Sequence, residues 1–179
     1  KGVSPMIRKA IPSDLDGIEE LYDAIFRREE QTGQCDTSWR RGVYPLREDA
    51  REAGKAGTLY VDIQGGDVAS CAVFDQIQPA EYANAAWTVP AKRGEVLVVH
   101  TLAVHPVITR HGLGRNLMAF AEGLAAGMGC KAVRLDTYEG NLPARKFYEK
   151  LGYQEAGRVS FQFACGTTQT QVCFEKALG

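Results

Sequence analysis

The spacing of apolar positions changes several times along the chain, and each change marks an element. After a strand-like run at Met6–Lys9, Pro12-Ser13-Asp14 is a helix-start signal, with Ser13 as N-cap and an acidic first turn. Leu15, Ile18, Tyr22, Ile25 and Phe26 then recur at helical spacing while Asp16, Glu19, Glu20, Arg27 and Arg28 fill the other side, which predicts an amphipathic helix. A second helix is predicted from Thr37 to Ala53, closed by Gly54 and Gly57. Thr58–Ile63 and Val68–Phe74 are rich in strand formers and joined through Gly65-Gly66-Asp67, a hairpin. Residues 77–94, with Pro79, Pro90 and a run of small side chains, read as an irregular excursion; loops of that length are uncommon unless functional or ordered by a partner.

Glu95–Val104 is apolar on both faces, as a central strand covered from both sides should be. From Gly112 the pattern turns helical, with Leu113, Leu117, Phe120, Leu124 and Met128 on one stripe and Gly129 as the stop. Ala132–Asp136 is another strand. Asn141-Leu142-Pro143 opens a helix with Ala144, Phe147, Tyr148 and Leu151 on one face and Gly152 just past its end. Strands at about Gln154–Ala164 and Thr170–Lys176 close the chain as a hairpin. The order β-α-α-β-β-β-α-β-α-β-β predicts an α+β (mixed α/β) domain with a strand-helix-strand crossover from Val96 to Asp136.

Composition narrows the function. The chain has 179 residues, 45% of them apolar, which fits one domain over 1–179 with residues 1–5 set apart as a leader. The 21 Lys+Arg against 22 Asp+Glu provide no broad cationic surface for nucleic acid or anionic lipid. The longest apolar run, Val96–Val99, falls far short of the roughly 20 residues that span a bilayer. Neither nucleic acid nor membrane is an expected partner, and the protein reads as cytoplasmic. Cys35, Cys71, Cys130, Cys165 and Cys173 form no C-x-x-C pair and read as reduced, buried thiols. With three histidines and no H-E-x-x-H, no metal site is expected.

Chemistry concentrates between Val104 and Arg115, where a buried strand enters a helix through Gly112 and Gly114. Such a turn aims backbone N–H groups and the positive end of a helix at one spot, which suits a phosphate or pyrophosphate; the plainer reading is a tight helix entry. Arg110 and Arg115 add charge. A dinucleotide fingerprint fails at Leu117, where Gly or Ala is needed, and a P-loop fails because Arg115-Asn116 follows Gly114.

Thr109-Arg110-His111-Gly112-Leu113-Gly114, preceded by Leu102-Ala103-Val104, resembles the Q/R-x-x-G-x-G/A motif of the GNAT superfamily of N-acetyltransferases. Asn141-x-x-Ala144-x-x-x-Tyr148 followed by Glu149-Lys150-Leu151-Gly152-Tyr153 is similar to that family's second signature. The element order matches from Met6 to the C-terminus, with the sharp motifs inside 96–153. Thr109 departs from the usual Gln or Arg, which bears on cofactor affinity.

The resemblance implies a central mixed, mostly antiparallel sheet of about seven strands flanked by about four helices, with a V-shaped splay between the two central parallel strands. It implies acetyl-CoA as cosubstrate, lying between the strand ending at Val104 and the strand ending at Asp136. The backbone of Leu102, Ala103 and Val104 would pair with the pantetheine arm, and the Val104 N–H would polarise the thioester carbonyl. Thr109, Arg110, His111, Gly112, Leu113, Gly114 and Arg115 would hold the pyrophosphate, with Asn141, Ala144, Phe147 and Tyr148 completing the cofactor site. Asn141 has a second reading as a helix cap alone, and Tyr148 one as a core residue. In the family pattern Tyr148 is the general acid that protonates the departing thiolate. His100, two residues before Leu102, is the best-placed base, because imidazole exchanges protons near neutral pH; a buried core histidine is the other reading, and Glu139 acting through water is the substitute. His105 and His111 read as turn or anion-contact residues. Tyr22, Phe26, Glu29, Glu30 and Trp39 would wall the acceptor site. The implied activity is direct acetyl transfer to a primary amine of a small molecule through a ternary complex, by a protein that is often a homodimer in this family. A protein or peptide N-acetyltransferase and a non-catalytic acyl-CoA sensor remain open.

Overall fold

The structure, a computed structural model, describes residues 6–108 and 112–179. Its elements are β1 (Met6–Lys9), α1 (Leu15–Thr32), α2 (Arg47–Lys55), β2 (Leu59–Gln64), β3 (Asp67–Asp75), β4 (Val96–Val104), α3 (Leu113–Gly127), β5 (Ala132–Tyr138), α4 (Leu142–Lys150), β6 (Gln154–Gln162) and β7 (Thr168–Ala177). The fold is mixed α+β, with a seven-stranded, mostly antiparallel sheet in the order β1-β2-β3-β4-β5-β7-β6. β4 and β5 pair in parallel, in register from Val96↔Ala132 to Val99↔Leu135, and each strand continues beyond the last pair.

Packing groups the chain into two compact units, the first comprising Lys1–Cys35, Trp39–Phe74 and His100–Phe120, and the second Asp36–Ser38, Asp75–Val99 and Ala121–Gly179. In the first, the α1 stripe of Ile18, Leu21, Tyr22 and Phe26 is buried against Leu59 and Val61 of β2, Cys71 of β3 and Ala103 of β4. Removing each such side chain from water is worth about 1.5–3 kcal/mol. Gly17 lets this helix lie close on the sheet, since a Cβ there would stand 2.7 Å from Val68 Cγ2. The helix ends at Gly33, whose left-handed φ of 69° turns its N–H onto Glu29 O at 2.9 Å. In the second unit Val96, Val98, Val159, Phe161 and Cys173 enclose Tyr82, with Trp87 packed against them.

Several sequence expectations need correction. Ser13 is not the cap; it lies within a short 3-10 turn, and the Asp14 carboxylate accepts the Ile11 N–H at 2.7 Å. The second helix is confined to Arg47–Lys55. Before it, Gly42 takes a left-handed turn and the chain doubles back in an Arg40↔Tyr44 bridge. Pro45 then disfavours helical backbone at Tyr44. Cys71, Cys130 and Cys173 are buried as expected, whereas Cys35 and Cys165 are exposed; none of the five is in a disulfide. The 77–94 excursion holds a single 3-10 turn at Ala80–Asn84. Among the described residues no helix is long and apolar enough to cross a membrane, and no group of three His, Cys, Asp or Glu could hold a metal ion.

Candidate active site

The first unit contains a strand end, a turn and a helix start. His100 lies half-buried on β4, Thr101 follows it with a left-handed φ of 50°, and Leu102, Ala103 and Val104 complete the strand with only Ala103 fully buried. His105 then ties the turn. Its N–H returns to Ala69 O at 2.8 Å, and its Nδ1 accepts the N–H groups of Val107 at 3.2 Å and Ile108 at 3.3 Å. Both bonds fit the turn role read from the sequence. Thr109, Arg110 and His111 lie outside the described residues. Gly112 is exposed with a φ of 89°, and α3 is anchored by buried Leu113 and Leu117. Gly114 and the exposed Arg115 occupy its first turn, which contains no acid, so nothing on the helix itself neutralises the positive end of its dipole.

The second unit contains the end of β5 and all of α4. Asn141 caps the helix, its Oδ1 accepting the Ala144 N–H at 3.1 Å, and Pro143 occupies the first turn, where its missing donor costs nothing. One turn on, Ala144 and Phe147 are half-buried and Tyr148 is 6% exposed. The Tyr148 ring packs against Phe147, Tyr153 and Phe174 at centroid distances of 5.2, 6.1 and 5.8 Å. Burial, and after it the charge of Asp136, raises the Tyr148 phenol above its ordinary range, so it stays protonated at neutral pH.

Asp136 is the residue that sequence reasoning passed over. Its Oδ1 accepts the hydroxyl of buried Tyr82 at 2.8 Å, and across the ladder it faces Cys173, whose thiol is pushed up to about 12 by burial and then by the carboxylate. Tyr82 is raised in the same way, by burial first and by Asp136 second. An acid at the carboxyl end of a buried parallel strand was the available signal. Nothing local marked Tyr82, which comes from the irregular excursion.

The remaining candidates divide. The exposed carboxylate of Glu139, the substitute base, stands 3.9 Å from Arg158. Tyr22 and Trp39 do meet, edge to face at 6.2 Å, and Phe26 is buried beside Tyr22 in the same core, but Glu30 is engaged by Arg41 at 2.9 Å and so is already neutralised. In chemical terms, the first unit offers a kinked strand and a helix start with no acid in its first turn, both sources of backbone N–H groups. The second offers a protonated phenol, and beside it a carboxylate held by another.

The Acetyltransferase (GNAT) family model matches residues 16–153. The chain belongs to the GNAT family of acetyltransferases. No curated protein matches its sequence. Among solved structures it is similar to a GNAT-family acetyltransferase from Streptococcus agalactiae 2603, at 25% identity and a TM-score of 0.80 over 98% of this chain and 96% of that one. Two further likenesses concern the fold alone. An N-acetyltransferase from Staphylococcus aureus Mu50 has 17% identity and a TM-score of 0.69 over 99% and 100% of the two chains. The yncA protein of Salmonella typhimurium, solved with its cofactor acetyl-CoA, has 16% identity and a TM-score of 0.68 over 99% and 95%.

Proposed function

We propose that this acetyltransferase is a cytoplasmic N-acetyltransferase, a single domain that moves the acetyl group of acetyl-CoA directly to a primary amine of a small molecule in a ternary complex. In this reading the edge of Leu102–Val104 takes the pantetheine arm, and the turn and helix start from Thr109 to Arg115 take the pyrophosphate. Asn141, Ala144 and Phe147 contact the cofactor from α4. His100 removes the proton that the amine loses as the N–C bond forms. The C–S bond breaks, and Tyr148 donates its proton to the leaving thiolate. The observation that carries the reading is Tyr148: a buried phenol that keeps its proton, on a helix whose Asn141 cap repeats the family's second signature. Support for a reducing compartment comes from five cysteines that form no disulfide.

The test is calorimetric titration with acetyl-CoA, with CoA and NAD as comparison ligands, followed by thiol release with a panel of amines. Acetyl-CoA should bind saturably and NAD should be inert. Tyr148→Phe should leave acetyl-CoA binding nearly intact and slow turnover about a hundredfold; an unchanged rate removes Tyr148 as the acid. His100→Ala should lower the high-activity limb of the pH profile, and an unmoved profile passes the role to Glu139 or to water.

A further inference from the structure

Strand β4 contains one residue in a conformation that strands do not use. Thr101 has a φ of 50°, where a β-branched side chain crowds its own backbone, and such a residue persists only where its surroundings hold it. Here the hold is visible: the Thr101 hydroxyl hydrogen-bonds the phenol of Tyr44. Tyr44 is itself fixed twice over. Its backbone exchanges hydrogen bonds with Arg40, each of 3.0 Å, and its ring meets Trp39 edge to face at 6.2 Å. Trp39 meets Tyr22 in the same manner, and Tyr22 belongs to the core under α1. A continuous row of side chains thus runs from the core of the first unit to the left-handed residue of β4.

The three residues after the kink are Leu102, Ala103 and Val104. A left-handed residue inside a strand re-aims the peptide groups that follow it. We propose that Tyr44 is a positioning residue for acetyl-CoA: by holding Thr101 in its left-handed conformation, it sets the direction in which Leu102–Val104 present their backbone N–H and C=O groups. The inference rests on the acetyl-CoA reading of that strand. Tyr44 touches no reacting atom, and its effect belongs in cofactor affinity.

Acetyl-CoA is titrated into the wild type, Tyr44→Phe, Thr101→Ala, Thr101→Gly and the Tyr44→Phe/Thr101→Gly double variant, with free CoA as second probe and a thermal melt of each protein. Tyr44→Phe keeps the ring against Trp39 and loses only the hydroxyl. Its Kd should weaken about three- to tenfold, the range one hydrogen bond allows, and equally for CoA, which has the same pantetheine arm. Thr101→Ala loses the hydroxyl but keeps a Cβ at positive φ, and should weaken alike. Thr101→Gly adopts that backbone without strain and should bind within about twofold of wild type. Adding Tyr44→Phe to it should then cost nothing further. A purely structural Tyr44 would lower the melting temperature and leave Kd in place. Wild-type affinity in Tyr44→Phe overturns the proposal, and so does a Thr101→Gly protein as weak as Thr101→Ala. A wild type that binds neither acetyl-CoA nor CoA sinks the acetyl-CoA reading itself, and the inference with it.

Discussion

Each unit of the molecule contains an irregular segment pinned by one arginine, and the two arginines sit in different surroundings. In the first unit, Arg41 ties residues 39–46 to α1 through Asp23 and Glu30 and lies over the Phe26 ring at 5.1 Å. Its side chain is 46% exposed and that of Glu30 is 58% exposed. In the second, Arg134 and Glu175 meet at 2.8 Å with 6% and 3% exposure. Arg134 also donates to Gln78 Oε1 and Val89 O and lies 4.4 Å from the centre of the Trp87 ring, while Glu175 accepts the N–H groups of Thr88 and Val89. Every partner of this pair outside the sheet comes from the 77–94 excursion. Burial pushes the Glu175 carboxyl up, but the donors around it outweigh that and hold it below the usual carboxylate range. The excursion that carries Tyr82 to Asp136 is thus fastened through a desolvated ion pair, and the segment that carries Tyr44 through solvated ones. The same residue types fasten both segments, and burial is what separates the two arginines.

The comparison is broken most directly by Glu175→Gln. It leaves the Arg134 charge buried without its counterion and should cost about 3–5 kcal/mol of unfolding free energy, read from urea melts. A loss within about 1 kcal/mol would mean that the pair does not fasten the excursion. Replacing both partners, Arg134→Met with Glu175→Leu, removes the buried charge altogether. It should recover only part of the loss, because the Thr88 and Val89 N–H groups then lack their acceptor, at about 1–3 kcal/mol for each group left unpaired.

Between the two extremes stands Arg8–Asp14, at 2.7 Å with 37% and 9% exposure. The Arg8 hydrogen bonds hold the Asp14 carboxyl below the usual range, against the opposing effect of burial and with help from the Ile11 N–H. A carboxyl depressed in the folded state stabilises it above the unfolded pKa of about 3.9, and that contribution is lost as pH falls through the folded value. Asp14→Asn should therefore be less stable by about 1–2 kcal/mol at pH 7, a figure that allows for solvent screening of Arg8. The gap should close in acid. A gap that stays constant from pH 7 to about 2 would remove the charge from the explanation.

This ordering by burial also explains which parts of the molecule the sequence made legible. The β2–β3 hairpin, the α1 stripe, the Asn141 cap and the Gly152 stop depend on residues a few positions apart, and local patterns report them. The GNAT signatures are local in the same sense: each lies within a few residues of Leu102–Val104, Gly112–Arg115 or α4. Arg134 and Glu175 are 41 residues apart, and Tyr82 and Asp136 are 54 apart. No spacing rule marks such pairs, and inside a strand Arg134 reads only as a polar interruption. Residues 39–46 were misread as helix because a weak apolar periodicity outweighed Gly42 and Pro45, the two residues that prevent one. Tyr44, with its link to Thr101, was lost with them.

The smallest effect is expected at Arg41, and the variant has to separate charge from packing. Arg41→Ala would remove the stem over Phe26 together with the charge, whereas Arg41→Met keeps most of the stem. Surface pairs are screened by water and must order two long side chains, so Arg41→Met should move the melting temperature by less than about 2 °C. That remainder should vanish in 1 M salt, where the Debye length falls to about 3 Å. The same salt should leave the Glu175→Gln deficit almost unchanged, because a pair with only 6% and 3% exposure is screened much less. If Arg41→Met instead unfolds as readily as Glu175→Gln, the carboxylates of Asp23 and Glu30 are doing for residues 39–46 what a desolvated pair does for the excursion. Exposure would then no longer rank the two arginines.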